Sequence, residues 1–153
     1  MNSHSDHTLH FEAVNSRNRA EVEHLEVFAE QSGFIESVTQ CLQEADKLEL
    51  WRPVGIYDRS MLIGFAMYGY FPEPAPGQVW LDLLIDKKYQ GKGYGKRVVL
   101  ALLDRLRTEY SCDTIYLSVY ETNSHAIHLY QQIGFHFNGE YDTNGEHVMV
   151  YAF

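Results

Sequence analysis

The chain has 153 residues, about the length of one domain, and its content of 45% hydrophobic and 22% charged residues is that of an ordinary soluble protein. Its formal net charge of −9 disfavours nucleic acid as a partner and favours cations, although acidity by itself more often serves solubility. The two cysteines are isolated, no stretch approaches the ~20 apolar residues of a membrane span, and the first residues lack signal-peptide features. We therefore expect a cytoplasmic protein with no membrane partner.

The first half of the chain predicts a strand, two helices and a β-meander. Residues 1–7 have the composition of a disordered tail, and residues 8–153 predict a single domain that begins with a strand over 8–13. Apolar residues at helical spacing predict helices over 18–31 and 35–45, broken at Gly33. Strands are predicted over 48–57 and 61–70, joined by a hairpin at 58–60, and over 79–85, where only Asp82 interrupts an apolar run.

The second half predicts helix, strand, helix and a final hairpin. A glycine cluster precedes a long helix whose buried face is expected to comprise Val98, Val99, Leu102, Leu103, Leu106 and Tyr110. A strand over 114–120 and a helix over 125–133, ended by Gly134, come next. Strands over 135–141 and 147–151 follow, with a turn at Asn144 and Gly145. A parallel crossover in the middle of antiparallel flanks indicates an α/β (α+β) fold with a mixed, mostly antiparallel sheet.

The glycine cluster between the third predicted helix and the strand before it favours a phosphate site. Alternate glycines let the backbone turn tightly and expose N–H groups, and a helix N-terminus adds about half a positive charge. The spacing fits neither a Walker A loop nor a dinucleotide fingerprint, but Gln90, Gly93 and Gly95 fit [Q/R]-x-x-G-x-G. A purely structural turn is the competing interpretation, which the position between an apolar strand and an amphipathic helix disfavours.

This loop resembles the coenzyme A pyrophosphate loop of the GNAT superfamily. A second segment, residues 123–135, is similar to that family's N-x-x-A-x-x-x-Y-x-x-x-G-F helix, and the two motifs with the element order cover nearly the whole chain. The resemblance implies the GNAT fold, in which the sheet is splayed between strands 4 and 5 and flanked by helices. It also implies acetyl-CoA as cosubstrate and no metal. Dimers are frequent in the family, so a homodimer is one expectation.

Shorter segments at 64–68, 80–82, 89–93 and 137–140 resemble bacterial spermine/spermidine acetyltransferases of the diamine acetyltransferase group. This narrower resemblance implies transfer of an acetyl group to a primary amine of a polyamine, a small cationic substrate, directly within a ternary complex. The alternatives are a GNAT enzyme for an aminoglycoside or a protein amine, or a non-catalytic acyl-CoA-binding sensor. The presence of Tyr130 argues against the sensor, because binding alone needs no proton donor.

The resemblance also implies roles for particular residues. Tyr130 is expected to be the general acid that protonates the departing thiolate, with a packing tyrosine as the alternative. Asn123 is expected either to bind coenzyme A or to cap its helix. The full set expected at coenzyme A, with the first two contributing backbone groups, is Leu83, Ile85, Gln90, Gly91, Lys92, Gly93, Tyr94, Gly95, Lys96, Asn123 and Ala126.

The residues that would bind the acceptor amine follow less directly from the sequence. In animal diamine acetyltransferases a glutamate on the central strand is the expected base. In this chain Leu81 stands at the matching position, and the nearest carboxylate is that of Asp82, one residue later. A displacement of one residue along a strand turns the side chain to the other face of the sheet. Asp82 could anchor the substrate while a water chain removes the proton, or it could pair with a lysine or arginine. Substrate contacts are expected at Glu36, Tyr68, Asp82 and Glu140, with Trp51 as a further aromatic candidate, although each taken singly is more often a surface or core residue.

Overall fold

A computed structural model describes residues 8–33, 36–73 and 77–153. The predicted tail, with His4 and His7, lies outside the described residues, as does Ile35. The strands are β1 Leu9–Ala13, β2 Arg52–Asp58, β3 Met61–Phe71, β4 Gln78–Ile85, β5 Thr114–Val119, β6 His136–Tyr141 and β7 His147–Ala152. The helices are α1 Arg19–Glu23, α2 Val38–Lys47, α3 Tyr94–Tyr110 and α4 Ser124–Ile133, with short 3-10 turns at Ala29–Gln31 and Lys87–Tyr89.

The first helix is shorter than its pattern predicts. It ends at Glu23 instead of continuing to Gln31, because the chain at Glu26 bonds elsewhere. The Glu26 N–H donates to the Asp86 carboxylate at 2.9 Å, and the Glu26 carbonyl accepts from the Lys87 N–H at 2.7 Å. Backbone groups used in this way are unavailable to a helical ladder.

The second helix begins later than the apolar stripe predicts, at a capping box. The Ser37 hydroxyl accepts from the Gln40 N–H at 3.2 Å, and the Gln40 side chain accepts from the Ser37 N–H at 2.9 Å. This reciprocal pair satisfies two backbone donors at the helix start and is worth about 1 kcal/mol. The cap fixes where α2 begins. Cys41 and Glu44 then lie about one turn apart on that helix.

The seven strands form one sheet in the order β1-β2-β3-β4-β5-β7-β6. Only β4 and β5 run parallel, so the predicted mixed and mostly antiparallel sheet is confirmed. These two strands pair only at Val79 with Ile115 and at Trp80 with Tyr116. On its other side β4 stays paired with β3 as far as Ile85, opposite Gly64. The sheet is therefore splayed between β4 and β5 from Leu81 onward, as the resemblance implies.

The sheet has a core on each face. Helices α3 and α4 cover one face of the sheet, where Tyr68 and Leu81 lie. The apolar side of α3 predicted from the sequence is buried in this core, except that Tyr110 is only partly buried. α1 and α2 cover the other face, where Met67 and Leu84 lie. Because successive strand residues point to opposite faces, Asp82 shares the second face with Met67, its partner in register. Among the described residues, no helix has the length and apolar character that crossing a bilayer requires.

Two turns near the C-terminus place further residues of interest. Gly134, at φ +126°, ends α4 as predicted, and its N–H donates to the Tyr130 carbonyl at 3.1 Å. The hairpin between β6 and β7 turns at Asp142, whose carboxylate accepts from the N–H groups of Asn144 at 2.9 Å and Glu146 at 2.8 Å. Gly145 supplies the left-handed conformation of the turn at φ +79°. The hairpin thus holds Glu146 immediately before β7.

Candidate active site

The splay leaves part of β4 open to a ligand. Among the described strands, β5 provides no partner for Leu81 to Ile85, so this side of β4 is left open to another molecule. Leu83 and Ile85, the two residues expected to use those groups, direct their side chains partly into the core under α3. The Ile85 carbonyl accepts from the Gln90 side chain at 2.9 Å, which braces the end of the strand.

The glycine loop is open on its outer side. Gly91 and Gly93 have φ of +75° and +83°, and a methyl group added to either would meet no atom within 4 Å. Gly93 is also the N-terminal cap of the 17-residue helix α3, so the first N–H groups of that helix face the loop. Lys92 and Lys96 are exposed beside it, and the Lys92 ammonium lies 5.9 Å from the centre of the Tyr89 ring. This geometry suits a pyrophosphate.

Three of the expected loop residues have contacts within the protein. The Gln90 amide pairs twice with Gln31, at 3.0 Å in both directions, and fastens the loop to the chain before α2. The Tyr94 hydroxyl donates to Asp58 on β2. A methyl group on Gly95 would lie 3.1 Å from Leu129 of α4, so this glycine allows α3 and α4 to approach closely. These contacts hold the loop in shape, whereas Gly91, Lys92, Gly93 and Lys96 face outward.

The start of α4 shows which of two roles Asn123 has in the free protein. Its side chain accepts from the Ala126 N–H at 3.4 Å, and its carbonyl accepts from the Ile127 N–H at 3.1 Å, so Asn123 caps the helix. Ala126 packs against the core. Both residues therefore position α4, and a direct contact with coenzyme A stays a prediction.

Tyr130 of α4 is a buried side chain with an unpaired hydroxyl. It is 9% exposed, and its ring lies 5.4 Å from that of Phe135, centre to centre. No described residue forms a hydrogen bond with its hydroxyl. Burial raises the pKa of Tyr130, and the charge of Asp82 raises it further, so the hydroxyl keeps its proton at neutral pH. The structure thus places a protonated donor in the core under α3 and α4, close enough for the charge of Asp82 to act on it.

Four carboxyl groups gather on the α2 side of the splay and form what we call the acidic cluster. Its members are Glu36 before α2, Glu44 on α2, Asp82 on β4 and Glu146 immediately before β7. The Cys41 thiol lies 3.8 Å from an Asp82 carboxylate oxygen, and the Glu36 carboxyl is within 4.8 Å of both. Glu36 also borders an open cleft of about 660 Å³ that runs along the chain before α2.

The crowding of the acidic cluster raises the pKa of three of its members. The pKa of Glu36, which is exposed, is raised to about 8, first by the neighbouring Glu44 carboxyl and then by partial desolvation. Burial, assisted by the charge of Glu44, raises the pKa of Asp82 to about 6. Burial and Asp142 raise the pKa of Glu146 to about 7. Within the described ranges, no lysine or arginine forms an ion pair with these three groups, so their charge favours a bound cation.

Two residues expected at the acceptor lie outside the acidic cluster. Tyr68 pairs in register with Leu81, not with Asp82, so its side chain is on the α3 face, where its hydroxyl accepts from the Arg105 guanidinium at 3.0 Å. Glu140 lies exposed on the edge strand β6, where it accepts from Asn138 at 2.7 Å. The aromatic candidate Trp51 packs edge-on against Phe71, with ring centres 4.8 Å apart.

Glu44 and Glu146 are members of the acidic cluster that the sequence analysis did not select. Glu44 lies three residues after Cys41, and the sequence does not indicate that this side of α2 packs near Asp82. Glu146 follows the Asn144-Gly145 turn, whose recognition predicts a hairpin but not what the hairpin faces. Helical periodicity applied from Cys41 would have put Glu44 on the same side of α2, which is the one signal available.

Comparison with known proteins agrees with this geometry. A sequence profile of the acetyltransferase (GNAT) family matches residues 22–135. The chain is 49% identical over 148 residues to a spermine/spermidine N(1)-acetyltransferase of Bacillus subtilis (strain 168), which covers 94% of this chain and 97% of that protein. A spermidine N-acetyltransferase from Vibrio cholerae, crystallised with CoA and spermine, is similar in fold, with a TM-score of 0.75, 20% identity and 96% of each chain covered. An aminoglycoside acetyltransferase in complex with coenzyme A gives a TM-score of 0.78, 20% identity and 94% coverage of each chain.

Proposed function

Because the chain belongs to the acetyltransferase (GNAT) family, we propose that it transfers the acetyl group of acetyl-CoA to a primary amine of a linear polyamine such as spermidine or spermine. The observation that carries the proposal is the acidic cluster at the splay. A polyamine has several ammonium groups along a flexible chain, and several carboxylates without basic partners suit it. The name of the Bacillus subtilis relative, which aligns over nearly its whole length, supports the same substrate class.

The residues of the glycine loop fit coenzyme A. Open space at Gly91 and Gly93 leaves room for two phosphates against the backbone, and Lys92 and Lys96 add positive charge. The open side of β4, through Leu83 and its neighbours, would hold the pantetheine arm. Bound acetyl-CoA supplies an acetyl thioester and leaves as a thiol.

In this proposal Asp82 binds the reacting ammonium and takes up its proton. An alkyl amine with a pKa near 10 is protonated at pH 7 and must lose a proton before it can attack a thioester. Because the pKa of Asp82 is raised to about 6, it is still mostly ionised at pH 7 but is a stronger base than an ordinary aspartate. Asp82 lies on the part of β4 that is not paired with β5, and in this proposal that position would be close to the reacting atoms.

Tyr130 has the complementary role of donating a proton to the departing sulfur. Its raised pKa keeps the hydroxyl protonated, and the absence of a hydrogen-bond partner among the described residues leaves that proton available. Glu36, Glu44 and Glu146 then bind the more distant ammonium groups of the substrate. A general acid in position typically contributes about 10²–10⁴ in rate.

A panel of amines, assayed with acetyl-CoA by thiol release, tests the proposal. We expect spermine and spermidine to be acetylated with a higher kcat/KM than a simple monoamine, and mass spectrometry should show one added acetyl group. The panel includes an aminoglycoside and a lysine peptide. If either is acetylated while both polyamines stay at the background rate, the substrate class is wrong although the family stands.

The assembly and location of the protein stay predictions. We propose a homodimer, for which the edge strand β6 offers a surface: all six of its residues are exposed, and Phe137 and Tyr141 are among them. Sedimentation velocity would reveal a mass near twice 17.7 kDa if this is correct. A cytoplasmic location rests on the sequence alone.

A further inference from the structure

A stacked aromatic pair lies on the same face of the sheet as the acidic cluster. Trp80 of β4 and Tyr116 of β5 have ring centres 5.4 Å apart and ring planes inclined by 29°. They form one of the two register pairs that join these strands, so the rings mark the place where the splay begins. Residues two apart on a strand share a face, and Trp80 therefore lies on the face of Asp82, about 7 Å from it along β4.

Neither ring belongs to a hydrophobic core in the part of the chain that the structure describes. Both side chains are half-buried, whereas the neighbours of Tyr116 along β5, which point to the other face, are buried. Gly69, the residue opposite Trp80 on β3, adds no side chain against the indole. The indole N–H donates to the Gln78 side chain at 3.1 Å. The rings therefore offer another molecule mainly their apolar surface and their π electrons.

This surface suits the hydrocarbon part of a polyamine. The methylene groups between two amines are apolar and gain free energy when they leave water for aromatic carbons. The ammonium groups at their ends are attracted to the face of an aromatic ring, and to that of tryptophan most of all. Binding sites combine apolar walls with a few placed charges, and here the rings adjoin the carboxylate of Asp82. A chain whose amine is held at Asp82 can therefore extend over the rings.

We propose that Trp80 and Tyr116 are specificity-determining residues of the acceptor site and bind the methylene chain that follows the reacting amine. The inference rests on the proposed function, in which Asp82 binds that amine. The carboxylates of the acidic cluster hold ammonium groups, and the two rings contact the hydrocarbon between them. A short monoamine such as ethylamine occupies only the position at Asp82. The rings thereby favour long amines over short ones.

Tryptophan fluorescence tests this contact, because the chain has only two tryptophans, Trp51 and Trp80. In Trp51→Phe, which keeps a ring against Phe71, all tryptophan emission comes from Trp80. Spermine is titrated into this variant saturated with coenzyme A, without an acetyl donor. We expect a saturable change in emission whose half-saturation matches the Kd from calorimetry, and no change with ethylamine. Unchanged emission at saturating spermine, or an equal change with ethylamine, would overturn the inference.

Steady-state kinetics with a long and a short amine tests the specificity. Trp80→Leu and Tyr116→Leu each remove one ring, and KM for spermine should rise by at least about fourfold, the value of one buried methylene group. KM for acetyl-CoA should stay the same, and the ratio of kcat/KM for spermine to that for ethylamine should fall. Tyr116→Phe keeps the ring and should retain the unmodified ratio. Tyr70→Leu is the matched control, since it removes one ring of the stacked pair with Tyr110, whose centres lie 6.4 Å apart on the other face.

The outcomes separate this inference from the proposed function. If spermine is acetylated but the leucine variants keep the unmodified ratio, or Tyr70→Leu lowers it equally, the rings only pack against each other and the function stands. If both leucine variants fail to fold, the fluorescence titration decides alone, because Trp51→Phe retains both rings. If the unmodified protein acetylates neither polyamine, the proposed function fails, and the emission of Trp80 still decides the inference. A saturable response to spermine then supports an aromatic polyamine site, and no response overturns it.

Discussion

Replacing Tyr130 by phenylalanine should separate the chemistry of its hydroxyl from the packing of its ring. The ring lies against Phe135 with centres 5.4 Å apart, and the phenylalanine ring can keep that contact. The hydroxyl has no hydrogen-bond partner among the described residues, so its removal breaks no bond of the fold. Because the hydroxyl forms no hydrogen bond within the described protein, the free energy of unfolding should change little.

The effect on catalysis should be large. Loss of a positioned proton donor lowers kcat by about 10²–10⁴, which corresponds to about 2.7–5.4 kcal/mol in the activation free energy. The affinity for acetyl-CoA should change little, because Tyr130 acts on the sulfur only as it leaves. An unchanged stability together with a large fall in kcat would be difficult to obtain from a packing defect.

The experiment combines thiol-release kinetics at saturating spermine with urea denaturation. Tyr151→Phe is the matched control, since Tyr151 packs on the same Phe135 at the same centre-to-centre distance of 5.4 Å and also loses only a hydroxyl. We expect near-normal kcat for this control. If Tyr130→Phe keeps kcat within about twofold while chemistry limits the rate, Tyr130 is a packing residue; if both variants lose activity equally, the cause is the packing around Phe135.

Three further predictions follow from the site. Gly93→Asp should weaken acetyl-CoA binding at least tenfold relative to Gly93→Asn, as measured by calorimetry. Both side chains tolerate the left-handed backbone at φ +83°, but only aspartate repels phosphate. Equal affinities would contradict a phosphate site. In the unmodified protein kcat/KM for spermine should fall as the pH is lowered through about 6, because Asp82 gains a proton there. Asp82→Asn should lower kcat/KM and remove this pH dependence. If the pH dependence persists in Asp82→Asn, the titration belongs to another group. The free energy of unfolding should decrease from pH 5.5 to pH 8. The pKa values of Glu36, Glu146 and Asp82 are raised, so the folded state binds more protons than the unfolded state in this range. Greater stability at pH 8 than at pH 5.5 in urea titrations would refute those shifts.

Much of the fold and the cofactor side of the site could be predicted from the sequence because the signals are local. The glycines at 91, 93 and 95 lie between an apolar strand and an amphipathic helix, so the turn and the exposed N–H groups follow from neighbouring residues. The buried face of α3 and the end of α4 at Gly134 follow from helical periodicity and glycine conformation in the same way. Tyr130 is found because its place in that helix is part of one short motif.

The acceptor side depended on contacts between distant segments, which no local pattern contains. The register of β3 against β4 pairs Met67 with Asp82 and Tyr68 with Leu81, and this pairing alone places Tyr68 on the opposite face. The first helix stops at Glu23 because Asp86, 60 residues beyond Glu26, takes the N–H of Glu26. The acidic cluster likewise joins α2, β4 and the segment before β7. Its carboxyls repel one another, so local energetics does not bring them together; burial of the apolar residues on the same helix and strands does.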